Sequence, residues 1–433
     1  MTQTDRARVV ITGIGVVSPN GVGRETFARA CREGRSGVSR LRIDTTGLRS
    51  TAAAAAHDFD PTTVLDSVEL RRVPRMVPMA LYASREAMTQ AGLLNGTNTA
   101  RDPRAPGGPA VGLLNDPREI GVSLGTGGGG LAFVEEQYRT FFTQGTGSIF
   151  SITAGTHGNL SSELSIALGL RGPSHVLSTG CTSSTDAIGY AMLLIRSGVV
   201  PLMIAGGADA PISRGILTAF EKMRVVSVRR WDDPAQASRP FSLDRDGFVL
   251  GEGAWMFVLE RREHALARGA AILAELAGYA STCDAYHRVQ IAPDLEEPVR
   301  AIELALADAG AAKDEIDYAN LHGTGTELND RLETAALRKC FGRLADRIPC
   351  SSTKSMIGHP QGACGAAGLA ATVLAMRDGV FHPTINLDRP DPQCDLDYIP
   401  NAARALEAEA ALCNCIAFGS KNSAIVVRRA GAG

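Results

Sequence analysis

The chain has 433 residues, of which 44% are hydrophobic, 21% charged and 5% aromatic, and its formal net charge is −2. This composition excludes a mostly disordered chain, and the length exceeds what one hydrophobic core usually serves, so we expect two core units or an internal duplication. The balanced charge argues against nucleic-acid binding through bulk charge, although it is compatible with a local basic patch.

Nine cysteines are scattered along the chain, and no two of them form a Cys-x-x-Cys pair. Their odd number and spacing do not indicate a disulfide framework, a zinc site or a redox motif. We therefore expect free thiols in a reducing cytoplasm and no bound metal. The N-terminal residues do not resemble a secretion signal, and no apolar run approaches the length of a membrane span.

The first half of the sequence alternates predicted strands and helices. A β-branched run predicts a buried strand at 8–17, and apolar residues at helical spacing predict a helix over 70–91 that ends at Gly92. Residues 95–112 are rich in Gly, Pro and Asn and predict a surface loop. The other predicted elements of this half are a helix at 25–33, strands at 119–124, 175–178 and 200–205, and a helix that ends at Arg196.

The second half repeats this order of elements. The predicted strand at 271–279 corresponds to the one at 8–17, and the predicted helix at 298–310 corresponds to the helix at 70–92. Strands at 316–321 and 348–351 and a helix at 366–377 complete the repeat. The order of elements favours a duplication, and the alternation predicts an α/β fold with parallel strand pairs, divided within residues 260–269.

Functional groups of open α/β sheets gather at the carboxyl ends of the strands. Cys181 directly follows one predicted strand and begins a helix. His322 follows a second strand, and Lys354 and His359 follow a third. If the two halves face each other, these strand ends bring together a thiol, two imidazoles and an amine from distant parts of the chain.

Cys181 is a candidate nucleophile because a helix N-terminus favours the thiolate and Gly180 permits a tight turn. The alternative is a small buried apolar side chain, which is the better description of most of the other cysteines. Taken singly, His322 is also explained as a polar turn residue, His359 as a helix-cap histidine and Lys354 as a surface lysine.

Six segments of the chain, in this order, resemble the β-ketoacyl-acyl-carrier-protein synthases, which are the condensing enzymes of fatty-acid and polyketide synthesis. The resemblance covers nearly the whole chain and implies the duplicated five-layer α-β-α-β-α thiolase-like fold of that family. It also implies one half at 1–265 that carries the nucleophile and one at 266–433 that carries the histidines and the lysine. The segments are VVITGIGVVSPNG (9–21), STGCTSSTDAIGYA (178–191), RPFSLDRDGFVLGEGA (239–254), LHGTGTELND (321–330), SSTKSMIGHPQGACGAAG (351–368) and AFGSKNSA (417–424).

This resemblance implies roles for five candidate catalytic residues. Cys181 matches the nucleophile that accepts the acyl chain, and His322 and His359 match the two histidines that act on the malonyl unit. Lys354 matches the family lysine, and Glu333 matches the acidic residue associated with it. We expect this last pair to fix the orientation of the histidines rather than to transfer protons.

The resemblance also implies how the substrates bind. Thr324 and Thr326 match positions that contact the pantetheine arm, and Phe418, followed by Gly419, matches the phenylalanine that gates the acyl pocket. The substrates are carried on the phosphopantetheine of an acyl carrier protein, and no further cofactor is implied. The backbone N–H groups of Cys181 and Phe418 are expected to hold the tetrahedral oxyanion.

The late loop departs from the family pattern. Ala417, Ser420 and Lys421 stand where the family commonly has two glycines and a threonine. One interpretation is that Ser420 and Lys421 make the loop more rigid. The other is that Lys421 contacts the pantetheine phosphate or a partner subunit.

Three segments look most like the ketosynthase subunits of bacterial type II polyketide systems: residues 179–191, 283–287 and 391–400. Those subunits usually pair with a chain-length-factor homologue that lacks the cysteine. Because Cys181 is present, we expect the active partner of such a heterodimer, with a homodimer as the alternative. A fatty-acid-elongating synthase is the second hypothesis for the function.

Two further classes are less favoured. A degradative thiolase would use a second cysteine near the C-terminus, but Cys413 and Cys415 lack a thiolase-like glycine context. A non-catalytic scaffold subunit would not need the cysteine.

Arg71, Arg72 and Arg75 fall where related enzymes carry residues that dock the acidic carrier protein, and a solvated helix face explains them equally well.

Overall fold

The computed structural model describes residues 6–94, 113 and 115–431, and the loop predicted at 95–112 lies outside them. The strands are β1 (Val9–Ser18), β2 (Gly21–Val22), β3 (Ser39–Arg40), β4 (Ala52–Ala53), β5 (Ile120–Gly125), β6 (Ser174–Leu177), β7 (Leu202–Asp209), β8 (Gly253–Arg261), β9 (Ala274–Cys283), β10 (Tyr318–Asn320), β11 (Cys350–Ser351), β12 (Val380–Phe381), β13 (Arg404–Ala405), β14 (Ala410–Ala417) and β15 (Lys421–Arg429). The helices are α1 (Arg24–Arg32), α2 (Met76–Gln90), α3 (Leu131–Gln144), α4 (Ser151–Gly155), α5 (Asn159–Leu168), α6 (Ser183–Arg196), α7 (Arg214–Met223), α8 (Arg262–Ala267), α9 (Glu296–Ala309), α10 (Glu327–Phe341), α11 (Lys354–Ile357) and α12 (Cys364–Asp378). Within the described ranges, none of these helices combines the length and apolar character that a membrane span requires.

One mixed sheet of eleven strands runs through both halves in the order β11-β10-β14-β15-β9-β1-β8-β7-β5-β6, and β2 pairs with β1. Counted from the outer edge to the centre of the sheet, one half contributes β11, β10, β14, β15 and β9, and the other contributes β6, β5, β7, β8 and β1. In both halves these are the third, second, fourth, fifth and first of the five strands in chain order. The two first strands, β1 and β9, pair antiparallel at the centre, where Val9 lies opposite Leu276. This repeated topology confirms the predicted duplication and the thiolase-like α/β fold.

Parallel strand pairs in both halves place the carboxyl ends of several strands at one edge. Strand β5 runs parallel to β6 and β7, and β10 runs parallel to β11 and β14. The segment with Cys181 follows β6, His322 follows β10, and Lys354 follows β11. Cys181, His322 and Lys354 therefore each follow the carboxyl end of a strand that is paired in parallel, as the sequence predicted.

Helices α6 and α12 occupy corresponding places in the repeat and pack against each other. Helix α12 is rich in alanine and buried along almost its whole length, which is typical of a helix enclosed by other layers. The largest apolar cluster joins residues of both halves, including Ile188 of α6 and Leu369 of α12. Because the two helices share this core, their N-terminal ends are held close to each other.

The close packing of β1 against α2 depends on two glycines of the strand. A Cβ atom at Gly15 would lie 1.8 Å from the carbonyl oxygen of Ala83, and one at Gly13 would lie 2.1 Å from that of Ala87. No side chain fits at such distances from backbone atoms. The glycines thus let the helix lie directly on the central strand.

Some element boundaries differ from the sequence prediction. The helix predicted over 70–91 begins at Met76, and Glu69–Arg71 forms a separate 3-10 turn. Pro74 accounts for this break, because the ring of a proline disfavours the helical conformation of the preceding residue. The sequence analysis also placed no helix over residues 131–168, where the structure has α3, α4 and α5.

Candidate active site

Cys181 lies in a 3-10 turn, Gly180–Thr182, between β6 and α6. Gly180 has a φ of 70°, which a residue with a side chain rarely adopts. A Cβ atom at this position would also meet Ala417 and the carbonyl oxygen of Phe418 at 3.4 Å. Glycine therefore allows the sharp turn that the sequence predicted before the cysteine.

Both candidate histidines lie beside the thiol. The Nε2 atom of His359 is 3.2 Å from the Sγ atom of Cys181. The rings of His322 and His359 meet edge to face, with their centroids 5.4 Å apart. All three side chains are buried, so the structure brings together the thiol and the two imidazoles that the strand ends predicted.

These three residues line a cavity of about 210 Å³. Thr324, Thr326 and Phe418 also line it, as expected for residues that contact the substrate, whereas Gly419 lies outside the lining. The remaining lining residues were not predicted from the sequence; they are Arg224, Val225, Phe248, Val289, Ile291, Glu327, Leu328, Asn329, Ile416 and Ala417. Most of them are apolar, which suits a site for an acyl chain.

Lys354 and Glu333 both hold the backbone of the turn that carries His322. The ammonium group of Lys354 donates a hydrogen bond to the carbonyl oxygen of His322 at 2.6 Å. The carboxylate of Glu333 accepts hydrogen bonds from the backbone N–H groups of His322 and Gly323, each at 2.7 Å. The ammonium group of Lys354 also attracts the Glu333 carboxylate electrostatically, but the hydrogen bonds of both side chains act on the turn directly.

Burial keeps both imidazoles neutral. It lowers the pKa of His322 to about 3 and also lowers the pKa of His359 below its usual value. The Nδ1 atom of His359 is buried and has no hydrogen-bond partner in the described structure. Neither tautomer of this ring is therefore locked, and its Nε2 atom can accept a proton in one step and donate a hydrogen bond in another.

The electrostatics of Cys181 differ from the sequence prediction. A helix N-terminus favours the thiolate, but burial raises the pKa of this thiol well above its usual value. The positive charge of Lys354 and the backbone N–H of Phe418 partly oppose this rise in the pKa of Cys181. The resting pair is therefore a thiol next to a neutral imidazole, and His359 is placed to take the thiol proton.

Two further thiols, which sequence reasoning left as ordinary buried cysteines, lie next to the catalytic candidates. The Sγ atoms of Cys364 and Cys415 lie 3.2 and 3.3 Å from the carbonyl oxygen of Cys181. The Sγ atom of Cys415 is also 3.5 Å from the Nδ1 atom of His322. One signal was available in the sequence, because Cys364 begins α12, the repeat counterpart of the helix that follows Cys181.

The late loop is a short connection between β14 and β15. Ser420 has a φ of 64°, and its hydroxyl donates to the carbonyl oxygen of His287 at 2.8 Å. The same hydroxyl accepts from the backbone N–H groups of Tyr286 and His287. These bonds join the loop to the segment at 284–288 and favour the interpretation that Ser420 makes the loop rigid. The contact predicted for Lys421 with a phosphate or a partner stays a prediction.

The three arginines considered for carrier docking lie on an exposed turn before α2. Arg72 forms an ion pair with Glu69, and Arg75 forms one with the buried carboxylate of Glu252. Arg75 is thus partly committed to the fold of this region. The docking role of Arg71, Arg72 and Arg75 stays a prediction.

Comparisons with known proteins identify the class to which this fold and site belong. The family model for the β-ketoacyl synthase N-terminal domain matches residues 6–265, and the model for the C-terminal domain matches residues 273–388. The chain therefore belongs to the β-ketoacyl synthase family, whose members are condensing enzymes that transfer acyl groups.

Individual relatives come from two branches of this family. The putative polyketide β-ketoacyl synthase 1 of Streptomyces halstedii is 41% identical over 97% of both chains. The 3-oxoacyl-acyl-carrier-protein synthase 2 of Synechocystis sp. is 39% identical over 99% of this chain and 100% of the relative. The solved structure of the ishigamide ketosynthase/chain length factor superposes with a TM-score of 0.86 at 33% identity, covering 98% of this chain and 100% of that one.

The buried neutral histidines predict how stability depends on pH. Burial lowers the pKa of His322 to about 3 and that of His382 to about 4, against about 6.5 in an unfolded chain. As the pH falls below about 6.5, the unfolded chain therefore takes up protons that the folded chain does not, and the free energy of unfolding falls.

Urea unfolding between pH 7.5 and 4.5 measures this effect. His382 lies outside the cavity lining, and the substitution His382→Asn is expected to reduce the slope of unfolding free energy against pH by up to about 1.4 kcal/mol per pH unit. The slope, rather than the absolute stability, is the readout. A variant with the wild-type slope would show that the folded state protonates His382 as readily as the unfolded state does.

The hydroxyl of Ser420 predicts the mobility of the late loop. The substitution Ser420→Gly removes its bonds to Tyr286 and His287, and we expect faster hydrogen–deuterium exchange of those two backbone amides. Glycine relieves about 1 kcal/mol of strain at a positive φ, so global stability should not fall. Lys421→Thr is the matched control, because it changes the next residue of the loop and keeps the hydroxyl of Ser420. Unchanged exchange in Ser420→Gly would refute the stabilising role.

Proposed function

We propose that this chain is the catalytic ketosynthase subunit of a type II polyketide synthase. It joins an acyl chain bound to Cys181 with malonyl-acyl-carrier-protein by decarboxylative Claisen condensation. The observation that carries this proposal is the 3.2 Å contact between Cys181 and His359, with His322 beside them, in an apolar cavity of a β-ketoacyl synthase.

The first half-reaction loads the acyl chain. The Nε2 atom of His359 accepts the thiol proton while the sulfur of Cys181 attacks the carbonyl carbon of the incoming thioester. The backbone N–H groups of Cys181 and Phe418 hold the developing oxyanion. The tetrahedral adduct then collapses, and the imidazole returns the proton to the departing carrier thiol.

The second half-reaction uses the same imidazoles as hydrogen-bond donors. Loss of carbon dioxide from the malonyl thioester builds negative charge on the thioester oxygen, and N–H groups of His322 and His359 stabilise it. Neutral donors suit this step because no charge has to be buried before the substrate arrives. The carbanion attacks the acyl carbonyl carbon, and Cys181 leaves as a thiolate that takes up one proton from solvent to restore the resting thiol.

Lys354 and Glu333 are positioning residues in this scheme. Their hydrogen bonds to the backbone of His322 and Gly323 fix the turn on which one donor stands. Thr324 and Thr326 lie where the pantetheine arm would enter, and their hydroxyl oxygens are 2.8 Å apart. The scheme needs no cofactor beyond the carrier's phosphopantetheine, because these residues supply both the nucleophile and the donors.

A second subunit is part of the proposal. Helices α3 and α4 expose large apolar side chains, including Phe142 at 81% and Ile152 at 72%, and Ile149 between these helices is 89% exposed. A patch of this kind on a water-soluble surface is typical of a protein interface. The ishigamide structure pairs a ketosynthase with a chain length factor, and we infer the same kind of partner here. A homodimer is the alternative.

The remaining assignments are proposals as well. We place the halves at 1–265 and 266–433 and the enzyme in the cytoplasm, since all nine cysteines are free. Arg71 and Arg72 are proposed to meet the acidic carrier protein. A fatty-acid-elongating synthase is the second candidate function, because the Synechocystis relative is nearly as similar as the Streptomyces one. Repeated condensation onto an unreduced β-ketoacyl chain in the presence of the partner subunit would favour the polyketide assignment.

Separate assays of decarboxylation and condensation test the mechanism. Cys181→Ala is expected to abolish condensation but to retain decarboxylation of malonyl-carrier, because the two imidazoles remain. His322→Ala and His359→Ala should each slow decarboxylation by about 10²–10³-fold, the usual cost of losing one such donor. The control Cys413→Ala removes a buried cysteine outside the cavity lining and should keep both activities. Condensation by Cys181→Ala, or undiminished decarboxylation by both histidine variants, would contradict the proposed roles.

A further inference from the structure

The condensation chemistry leaves two buried thiols without a role. Cys364 begins α12, and Cys415 lies on β14. Their Sγ atoms are 3.7 Å apart, and the Nδ1 atom of His322 is 3.5 Å from that of Cys415. Ligand atoms of these three residues all lie within 4.8 Å of one another. Two sulfurs and an imidazole nitrogen are thus gathered around one point by three separate elements.

The spacing of these atoms matches a tetrahedral zinc centre. With Zn–S bonds of about 2.3 Å and a Zn–N bond of about 2.0–2.1 Å, the edges of a regular tetrahedron are about 3.8 Å between two sulfurs and about 3.5 Å between sulfur and nitrogen. Two of the three observed separations are 3.7 Å and 3.5 Å, and the ligand atoms of Cys364 and His322 lie within 4.8 Å of each other. A small movement of the side chains would therefore close the set around an ion.

We propose that Cys364, Cys415 and His322 form a binding site for a thiophilic divalent cation such as Zn²⁺. The two thiols release their protons to solvent when the ion binds, and no electron is transferred. An oxygen ligand is already beside the sulfurs, because the carbonyl oxygen of Cys181 lies 3.2 and 3.3 Å from them. The spacing of these residues along the chain does not predict a metal site, because the three ligands come from distant segments.

Charge favours this set of ligands over the other candidate set of the region, Cys181 with His322 and His359. A dication bound by two thiolates and an imidazole forms a neutral group, whereas the set with a single thiolate would leave one positive charge buried. Because both thiols must lose their protons when the ion binds, binding should strengthen with rising pH.

Metal binding at this site would act on the active centre through His322. Coordination by Nδ1 leaves the ring proton on Nε2 and fixes both the tautomer and the position of the ring. The ion would also sit directly behind the turn of Cys181, whose carbonyl oxygen faces both sulfurs. The site therefore connects the metal content of the enzyme to one of its two imidazole donors.

Cobalt titration of the reduced, metal-free, full-length enzyme tests the proposal. Co²⁺ in a tetrahedral site with two thiolates gives an intense sulfur-to-metal charge-transfer absorption. We expect this absorption to saturate at one equivalent per chain and to disappear when Zn²⁺ is added. Cys364→Ser and Cys415→Ser should each weaken cobalt binding by more than the roughly 10–100-fold that loss of an outer-sphere partner costs.

Two matched controls make the result specific. Cys413→Ser changes a buried thiol of the same strand that contacts Thr372 instead, and it should bind cobalt like the wild type. Cys181→Ala should also retain the absorption. Melting curves of the metal-free variants show whether each is folded, and either serine variant alone is sufficient for the test. Absence of the absorption in the wild type, its survival in a folded serine variant, or its loss in Cys181→Ala would overturn the assignment.

Discussion

The contact between the thiol of Cys181 and the imidazole of His359 joins the two halves of the chain at the reacting atoms. Neither half holds this pair alone, because the cysteine follows β6 of the first half and the histidine follows α11 of the second. The repeated strand order places β1 against β9 and packs α6 against α12. A shift between the halves would separate Cys181 from His359, so the site depends on how the two halves pack against each other.

Burial determines the charge states of Cys181 and His359 before the substrate binds. It raises the pKa of the thiol and lowers the pKa of both histidines. The reacting groups are therefore uncharged, and charge develops only during the reaction, where N–H donors are ready to meet it. The side chains of Lys354 and Glu333 form hydrogen bonds with the backbone of the turn that carries His322. Preorganisation of this kind costs no rearrangement in the transition state.

Much of this arrangement could be predicted from the sequence, because it depends on order and on motifs. The alternation of elements predicted the strand before Cys181 and the repeat, and the family segments predicted the two histidines. Contacts between residues that are far apart in the sequence could not be predicted in this way. The proximity of Cys364 and Cys415 to His322 results from the packing of α12 beside β14, and no local pattern encodes it. The helix boundary at Met76 is a different case. Pro74 is a local signal for a break, but the apolar residues at helical spacing predicted one continuous helix.

We propose that Cys181 carries the growing acyl chain, although two other thiols, Cys364 and Cys415, lie beside it. Mass spectrometry of the enzyme after incubation with an acyl-carrier substrate distinguishes these thiols. We expect a mass increase of one acyl group, which maps after proteolysis to the peptide that contains Cys181. An acyl group on the peptide of Cys364 or Cys415, or an unmodified enzyme under conditions that support condensation, would contradict it.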